Sequence, residues 1–278
     1  MPVVATNTAA NTATRFLNNN TAMASSSVGK LASGSRIVRA SDDAAGLAIA
    51  SRLNSDVVAL QQASINASQG ASMVQVADGG LARVGDVLQR MKALAAASLS
   101  GVPTDNERAF IDAEYQELIN EIDGIAATTR FNGDSLLDGT GTTSVAFFVG
   151  TDASDTITVN FAALAAGAAD FTSGTLGVTT AVDTAANATT AMGQVDAAID
   201  EISEARANAG AFISRFEFRG QQIATSTENI QAAESAISDV DLAAEQAKLV
   251  SSQVLVQASV SALSQANQIP QSLLRVLQ

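Results

Sequence analysis

The stretch from Val195 to Ile237, VDAAIDEISEARANAGAFISRFEFRGQQIATSTENIQAAESAI, decides the fold. Val195, Ile202, Ala209, Phe216, Ile223, Ile230 and Ile237 recur every seven residues without exception. Ala198, Ala205, Phe212 and Ala233 stand three residues after members of that track. On a helix of 3.6 residues per turn such spacing makes one continuous apolar stripe, and a strict seven-residue period favours packing against another long helix.

Working outward, the track breaks at Ser238–Asp241 and restarts out of phase as Leu242, Leu249, Val256 and Leu263. Gln246, Gln253 and Asn267 fall at its +4 companion positions, and Pro270 on its next step reads as fraying or an end. A matching track runs upstream through Leu53, Leu60, Ala67, Val74, Leu81, Leu88 and Ala95. Its companions switch from +4 (Val57, Ala71) to +3 (Ala77, Val84, Met91). Residues 44–99 as one helix would be about 84 Å long at ~1.5 Å per residue. Gly70, Gly79 and Gly80 would each weaken it by roughly 1 kcal/mol against Ala.

Nearest the N-terminus, Val3, Ala10, Leu17, Ala24 and Leu31 form a thin stripe flanked by Thr, Asn and Ser, ending at Gly34. Ser41 with Asp42 and Asp43 reads as an N-cap and an acidic first turn. Gly101 and Pro103 break the long helix, and Thr104–Glu107 is a capping box opening a shorter acidic helix to about Thr128. Arg130–Asp134 and Asp138–Gly139 are turn chemistry. Only residues 142–185 differ in kind. Val145–Val149 and Thr156–Phe161 are β-branched and aromatic, and predict two or three short strands.

The pattern predicts a mainly α chain: long antiparallel helices packed as a coiled-coil-like rod, with N- and C-terminal segments paired and a small β segment in the middle. Residues 1–40 and 238–278 would form a terminal helical layer. Residues 41–237 would form the rod domain, with the β segment at about 142–185. The terminal stripes are thin, so their helices alone are marginal in water and are expected to order on assembly with copies of the chain.

Composition closes off other classes. The chain of 278 residues has no Cys, His or Trp and one Tyr. Thiolate chemistry, Ser-His-Asp triads and His-based metal sites are therefore out of reach. Its 15 basic and 28 acidic side chains leave a net charge of −13. Residues 1–100 carry +3, whereas 101–140 carry −7 and 141–200 carry −6. That balance, with few aromatics and no basic stripe, argues against nucleic-acid binding. No apolar run is long enough to span a membrane, and the first residues have neither the basic nor the apolar region of a signal peptide.

Four stretches carry a family resemblance. Gly29–Ala50, GKLASGSRIVRASDDAAGLAIA, closely resembles the N-terminal signature of bacterial flagellins. Glu117–Ile122 leading to Phe131-Asn132-Gly133 and Leu136–Gly139, then Arg206–Ala211 with Arg215-Phe216-Glu217, are similar to later flagellin segments. Ile237 through Ala244-Glu245 to Gln265–Gln271 and Leu277 resembles the C-terminal signature. The match spans residues 1–140 and about 190–278, with a short variable segment between.

The resemblance implies a structural protein, without catalytic, metal or cofactor sites, that self-polymerises into the extracellular flagellar filament for motility. It implies export unfolded through the flagellar type III system, an export chaperone at about 237–278, and hook-junction and cap proteins as further partners. No nucleic acid or membrane insertion is expected. The assembly interface is expected at Leu17, Leu31, Arg36, Asp42, Asp43, Leu47, Ile49, Arg52, Leu242, Leu249, Val256 and Leu263. Arg90, Leu94 and Glu114 match flagellin positions recognised by an animal innate receptor, whereas Ala95, Ala96 and Ala97 depart from the more polar residues usual in receptor-activating members. The 29–50 segment resembles an epitope sensed by plants. Ser and Thr in 140–190 are either O-glycan acceptors or plain solvated loop, and the His-free insert excludes the zinc peptidase of some flagellins. A hook–filament junction protein shares the terminal logic, but Arg215–Glu217 and Asn267–Gln271 favour flagellin. An enzyme has no constellation of titratable groups behind it.

Overall fold

The structure, a computed structural model, describes residues 7–140, 144–161 and 170–277. Val3, Thr142 and Thr143 lie outside them. The elements in chain order are α1 (Thr8–Ser33), α2 (Ala44–Leu99), α3 (Asp105–Thr128), β1 (Arg130–Phe131), β2 (Asp134–Ser135), β3 (Ser144–Phe148), β4 (Thr156–Asn160), α4 (Ala185–Ser238) and α5 (Leu242–Leu277). The chain divides into two compact units, residues 1–57 with 229–278, and residues 58–228.

In the first unit α1 runs antiparallel to α5. Asn7 caps α1 with its Oδ1, which accepts from Ala10 N at 3.1 Å. Gly34 ends α1 at φ +72°, a left-handed conformation that glycine adopts without a Cβ penalty. The breaks expected on either side of the terminal helices meet each other. Arg36 N donates to Ser238 O at 2.6 Å, and Val240 N to Gly34 O at 3.1 Å.

Two sequence expectations fail in this unit. Ser41 is not the cap of α2: the helix starts two residues later, on Asp43, whose Oδ1 accepts from Gly46 N at 2.8 Å. Asp42 instead closes the preceding loop, its Oδ2 accepting from Val38 N and Arg39 N at 3.2 and 3.0 Å. Gly46 permits this cap, since a Cβ there would overlap the Asp43 carboxylate and the buried Ile37 side chain.

Nor does Pro270 end α5, which continues to Leu277. A proline inside a helix normally costs ~3 kcal/mol, partly because it offers no N–H to the carbonyl four residues back. Here that carbonyl belongs to Ala266, and Asn7 Nδ2 donates to it at 2.8 Å. One side chain thus caps α1 and replaces the hydrogen bond that Pro270 removes from α5.

The second unit is built on the two strong tracks. Leu60, Ala67, Val74, Leu81, Leu88 and Ala95 of α2 and Val195, Ile202, Ala209, Phe216 and Ile223 of α4 are all buried. Arg206–Asp78 (3.0 Å) and Lys92–Asp196 (2.5 Å) hold α2 and α4 antiparallel. The capping region of α3 forms as expected: Glu107 Oε2 accepts from Thr104 N at 2.7 Å. Arg108 of α3 donates to Ser98 O at 3.0 Å, returning α3 against α2.

Arg130-Phe131-Asn132-Gly133 makes a tight β1–β2 hairpin, with Asn132 and Gly133 both at positive φ, as a two-residue turn of this kind requires. β3 and β4 pair antiparallel, with Val145 opposite Val159 and Phe147 opposite Ile157. This second hairpin is pinned by Phe147, edge-on to Phe216 at 5.5 Å, and by Asn66 Nδ2 donating to Phe148 O at 3.0 Å. Gly70 makes room for it, because a Cβ there would strike the Phe216 ring. Residues 170–183 have no regular structure yet bury Phe171, Leu176, Val178 and Val182. Asp123 and Asp112 of α3 hold this segment by accepting from Ser173 N and Val182 N at 2.7 and 2.8 Å.

Candidate functional site

The seam between α1 and α5 has two rows on each helix. On α1 the expected Leu17, Ala24 and Leu31 are half-buried. Ala13, Asn20 and Ser27 stand between them, the first half-buried and the two polar ones buried. On α5 Leu249 is buried and Val256 and Leu263 are half-buried. The companions of α5 are not the +4 residues: Gln246, Gln253 and Asn267 are exposed. The +3 side faces α1 instead, with Glu245, Ser252 and Ala266 buried and Ser259 half-buried. Both sides of the α5 track are polar-rich, so its sequence alone does not select one.

The polar side chains of this second row are paired. Asn20 Nδ2 donates to Ser259 Oγ at 3.0 Å, and Ser27 Oγ to Glu245 Oε1 at 2.6 Å. Lys248 Nζ lies 3.1 Å from Glu245 Oε2. The Ser27 hydroxyl first, then Lys248 and Lys30, hold the Glu245 carboxyl below its ordinary range against the opposing effect of burial. Heptad counting missed Asn7, Asn20, Ser27, Glu245, Ser252 and Ser259 as seam residues. Apart from Asn7, their only sequence signal is a seven-residue spacing of polar rather than apolar side chains.

The seam of this pair is mixed rather than apolar, with Leu249 and Ala266 buried beside the polar side chains. The pair buries Asn20, Ser27, Glu245 and Ser252 and leaves Phe16 55% exposed, with Met23, Val250, Val254 and Val260 also exposed. Leu242, expected in the interface, is 59% exposed at the start of α5.

Among the other expected residues, Arg36 is committed within the chain, its Nη2 donating to Ile237 O at 2.7 Å at the end of α4. Asp42 and Asp43 are the loop and cap acceptors described above. Leu47, Ile49 and Arg52 are exposed on α2. In the second unit, Arg90 Nη2 meets Glu114 Oε1 at 2.6 Å across α2 and α3. Leu94, four residues after Arg90, is only 6% exposed and belongs to the core. Among the described residues no cluster of His, Cys, Asp and Glu could hold a metal ion, and no helix is long and apolar enough to cross a membrane.

Paired terminal helices with a partly polar seam and several large apolar side chains left exposed, joined to a long-helix unit with a small β hairpin, define a mainly helical protein with uncovered apolar surface on its terminal pair. Comparison with known proteins gives the family. The bacterial flagellin N-terminal helical region matches residues 4–142, and the bacterial flagellin C-terminal helical region matches residues 192–277. A flagellar filament 33 kDa core protein of Treponema phagedenis is 36% identical, over 95% of this chain and 96% of its own. A flagellin of Halalkalibacterium halodurans is 38% identical over 89% of each chain. The crystal structure of Bacillus cereus flagellin aligns with a TM-score of 0.49 at 28% identity, covering 61% of this chain and 94% of that one. The chain belongs to the bacterial flagellins. As such it is a structural component of the extracellular flagellar filament, a polymer of such subunits, and not an enzyme.

Proposed function

We propose that this flagellin polymerises through its paired terminal helices, 1–40 with 238–278, and that the pair opens readily in the free monomer. The observation that carries this is the polar share of the α1–α5 seam together with the large apolar side chains that the pair leaves exposed. A pair that buries polar side chains gains little from its own closure, while exposed Phe16, Met23, Val254 and Val260 gain once copies cover them. Leu17, Leu31, Leu249, Val256 and Leu263 then stabilise the pair, and exposed Leu47, Ile49, Arg52 and Leu242 meet neighbours. Arg36, Asp42 and Asp43 position the joint between the terminal helices and the rest. Weak termini also suit export of the unfolded chain by the type III system, guarded by a chaperone on about 237–278. Hook-junction and cap proteins bound the filament, and the Arg90–Glu114 face, with Leu94 beneath it, is the innate-receptor surface.

Seeded polymerisation of a chain lacking 242–278, followed by light scattering and electron microscopy, tests this reading. The truncated chain is expected not to elongate seeds. Elongation at the full-length rate would overturn it. In free monomer, amides of 8–33 and 242–277 are expected to exchange fast; strong protection there would remove the coupled-ordering account.

A further inference from the structure

Two exposed faces of the 58–228 unit are complementary to each other, and neither is covered by the described residues. On α3, Glu117 and Glu121 follow Phe110 at +7 and +11, which places the three on a single helix face. Phe110 is 77% exposed, and Glu117 and Glu121 are exposed. On α4, Arg215, Phe218, Arg219 and Gln222 line a groove of about 460 Å³ closed by Ser154–Ile157 of the second hairpin. Phe218 is 70% exposed. Arg219 is anchored, its Nε donating to Val149 O at 3.0 Å and its Nη2 standing 3.4 Å from Asp155. Arg215 lies 5.5 Å over the Phe212 ring and has no carboxylate partner among the described residues.

Charge makes that orphan cation notable. Residues 58–228 hold 8 basic and 21 acidic side chains, and six of the eight basic ones already pair with carboxylates. Only Arg130 and Arg215 remain, and Arg130 Nε donates to Ala127 O at 2.8 Å. A copy packing against this unit must bring its own acidic surface close, and the Arg215 groove is where that surface meets a cation with no carboxylate partner among the described residues, beside an exposed aromatic ring.

We propose that the Arg215–Phe218–Arg219 groove of one subunit receives the Phe110–Glu117–Glu121 face of α3 from a second copy. Phe110 packs on Phe218, and Glu117, about 10.5 Å along α3 from Phe110, pairs with Arg215, while Glu121 adds negative charge beyond it. Arginine and aromatic residues are the commonest anchors of protein interfaces, and opposed charges set register and exclude wrong partners. Because the two halves lie on different helices of the same chain, the contact is heterologous: each subunit offers one half to the copy on either side, which extends without limit unless a rotation closes a ring. This inference rests on polymerisation as the function but not on the terminal helices.

Two measurements test it. Arg215→Glu is expected to raise the critical concentration for seeded elongation at least tenfold while the monomer's melting temperature stays unchanged. Glu117→Arg with Glu121→Arg should do the same, and the combined charge swap should return it to within about threefold of the parent. The protein has no Cys, so Phe110→Cys with Phe218→Cys introduces the only thiols. Oxidised with diamide in assembled filaments, that variant is expected to give a ladder of covalent oligomers, and either single variant none beyond a dimer. Normal elongation by the Arg215→Glu chain, a charge swap no better than its worse parent, or filaments without a ladder would each overturn the proposal. The ladder also decides the matter should Arg215→Glu fail to fold. Elongation by the 242–278 truncation would count against the terminal-helix reading alone.

Discussion

Glu245 and Tyr115 are the side chains whose ionisation their surroundings change most legibly. The folded-state pKa of Glu245 lies below its ordinary 4.5 because Ser27 donates to the carboxylate and two lysines stand near it. Its contribution is therefore complete above pH 4.5 and is lost as pH falls through the lowered value. Filaments of Glu245→Gln should dissociate with a shallower dependence on pH on the acid side, read by sedimentation; an unchanged profile would assign the acid response elsewhere. Tyr115 is fully buried, its hydroxyl has no partner among the described residues, and burial, then Asp112, pushes its pKa up to about 12. The folded state holds that proton more tightly, so stability is full below pH 10 and declines as pH rises above it. As the only tyrosine in a chain without tryptophan, it should titrate near 12 in ultraviolet absorbance while folded. Tyr115→Phe should leave the melting temperature equal or higher, since it removes an unsatisfied buried hydroxyl.

At the scale of elements, adjacent glycines of α2 give opposite outcomes. Gly79 has open space where a Cβ would sit, whereas a Cβ on Gly80 would crowd Thr129 and Leu137. Gly79→Ala should stabilise by up to ~1 kcal/mol through helix propensity. Gly80→Ala should destabilise by about 1–3 kcal/mol through overpacking, read in each case by denaturant unfolding. A glycine count alone assigns both the same penalty, because the neighbours that separate them arrive from residues 129 and 137. The long helices were legible for the opposite reason: residues 60–95 and 195–223 repeat an apolar side chain at every step, and burial follows each one. The second hairpin was legible from its alternation, but its seat on Gly70 and Phe216 was not. On α5 the companion side was misread since Gln246 and Glu245 are both polar, and only the partner helix distinguishes them. Pro270 was misread for want of a donor that lies 259 residues away, on Asn7.

For the whole molecule, charge follows the division into units more sharply than it follows the sequence. Residues 1–57 and 229–278 contain 7 basic and 7 acidic side chains, so the entire net of −13 belongs to 58–228. Unscreened, copies repel through that unit over a Debye length of about 30 Å at 0.01 M salt, against about 8 Å at 0.15 M. Seeded elongation should therefore speed up between those two salt concentrations, followed by light scattering. Slowing instead would mean that attraction between copies outweighs their repulsion at long range. The hydrogen bond from Asn7 to Ala266 has a further consequence, in time. A ribosome adding roughly 5–20 residues per second needs roughly 13–52 s to make the 259 residues between them. Helix α1 thus waits for its partner α5 until nearly the whole of the intervening chain is made, and through that wait Asn20 and Ser27 give its future seam a face that water can solvate.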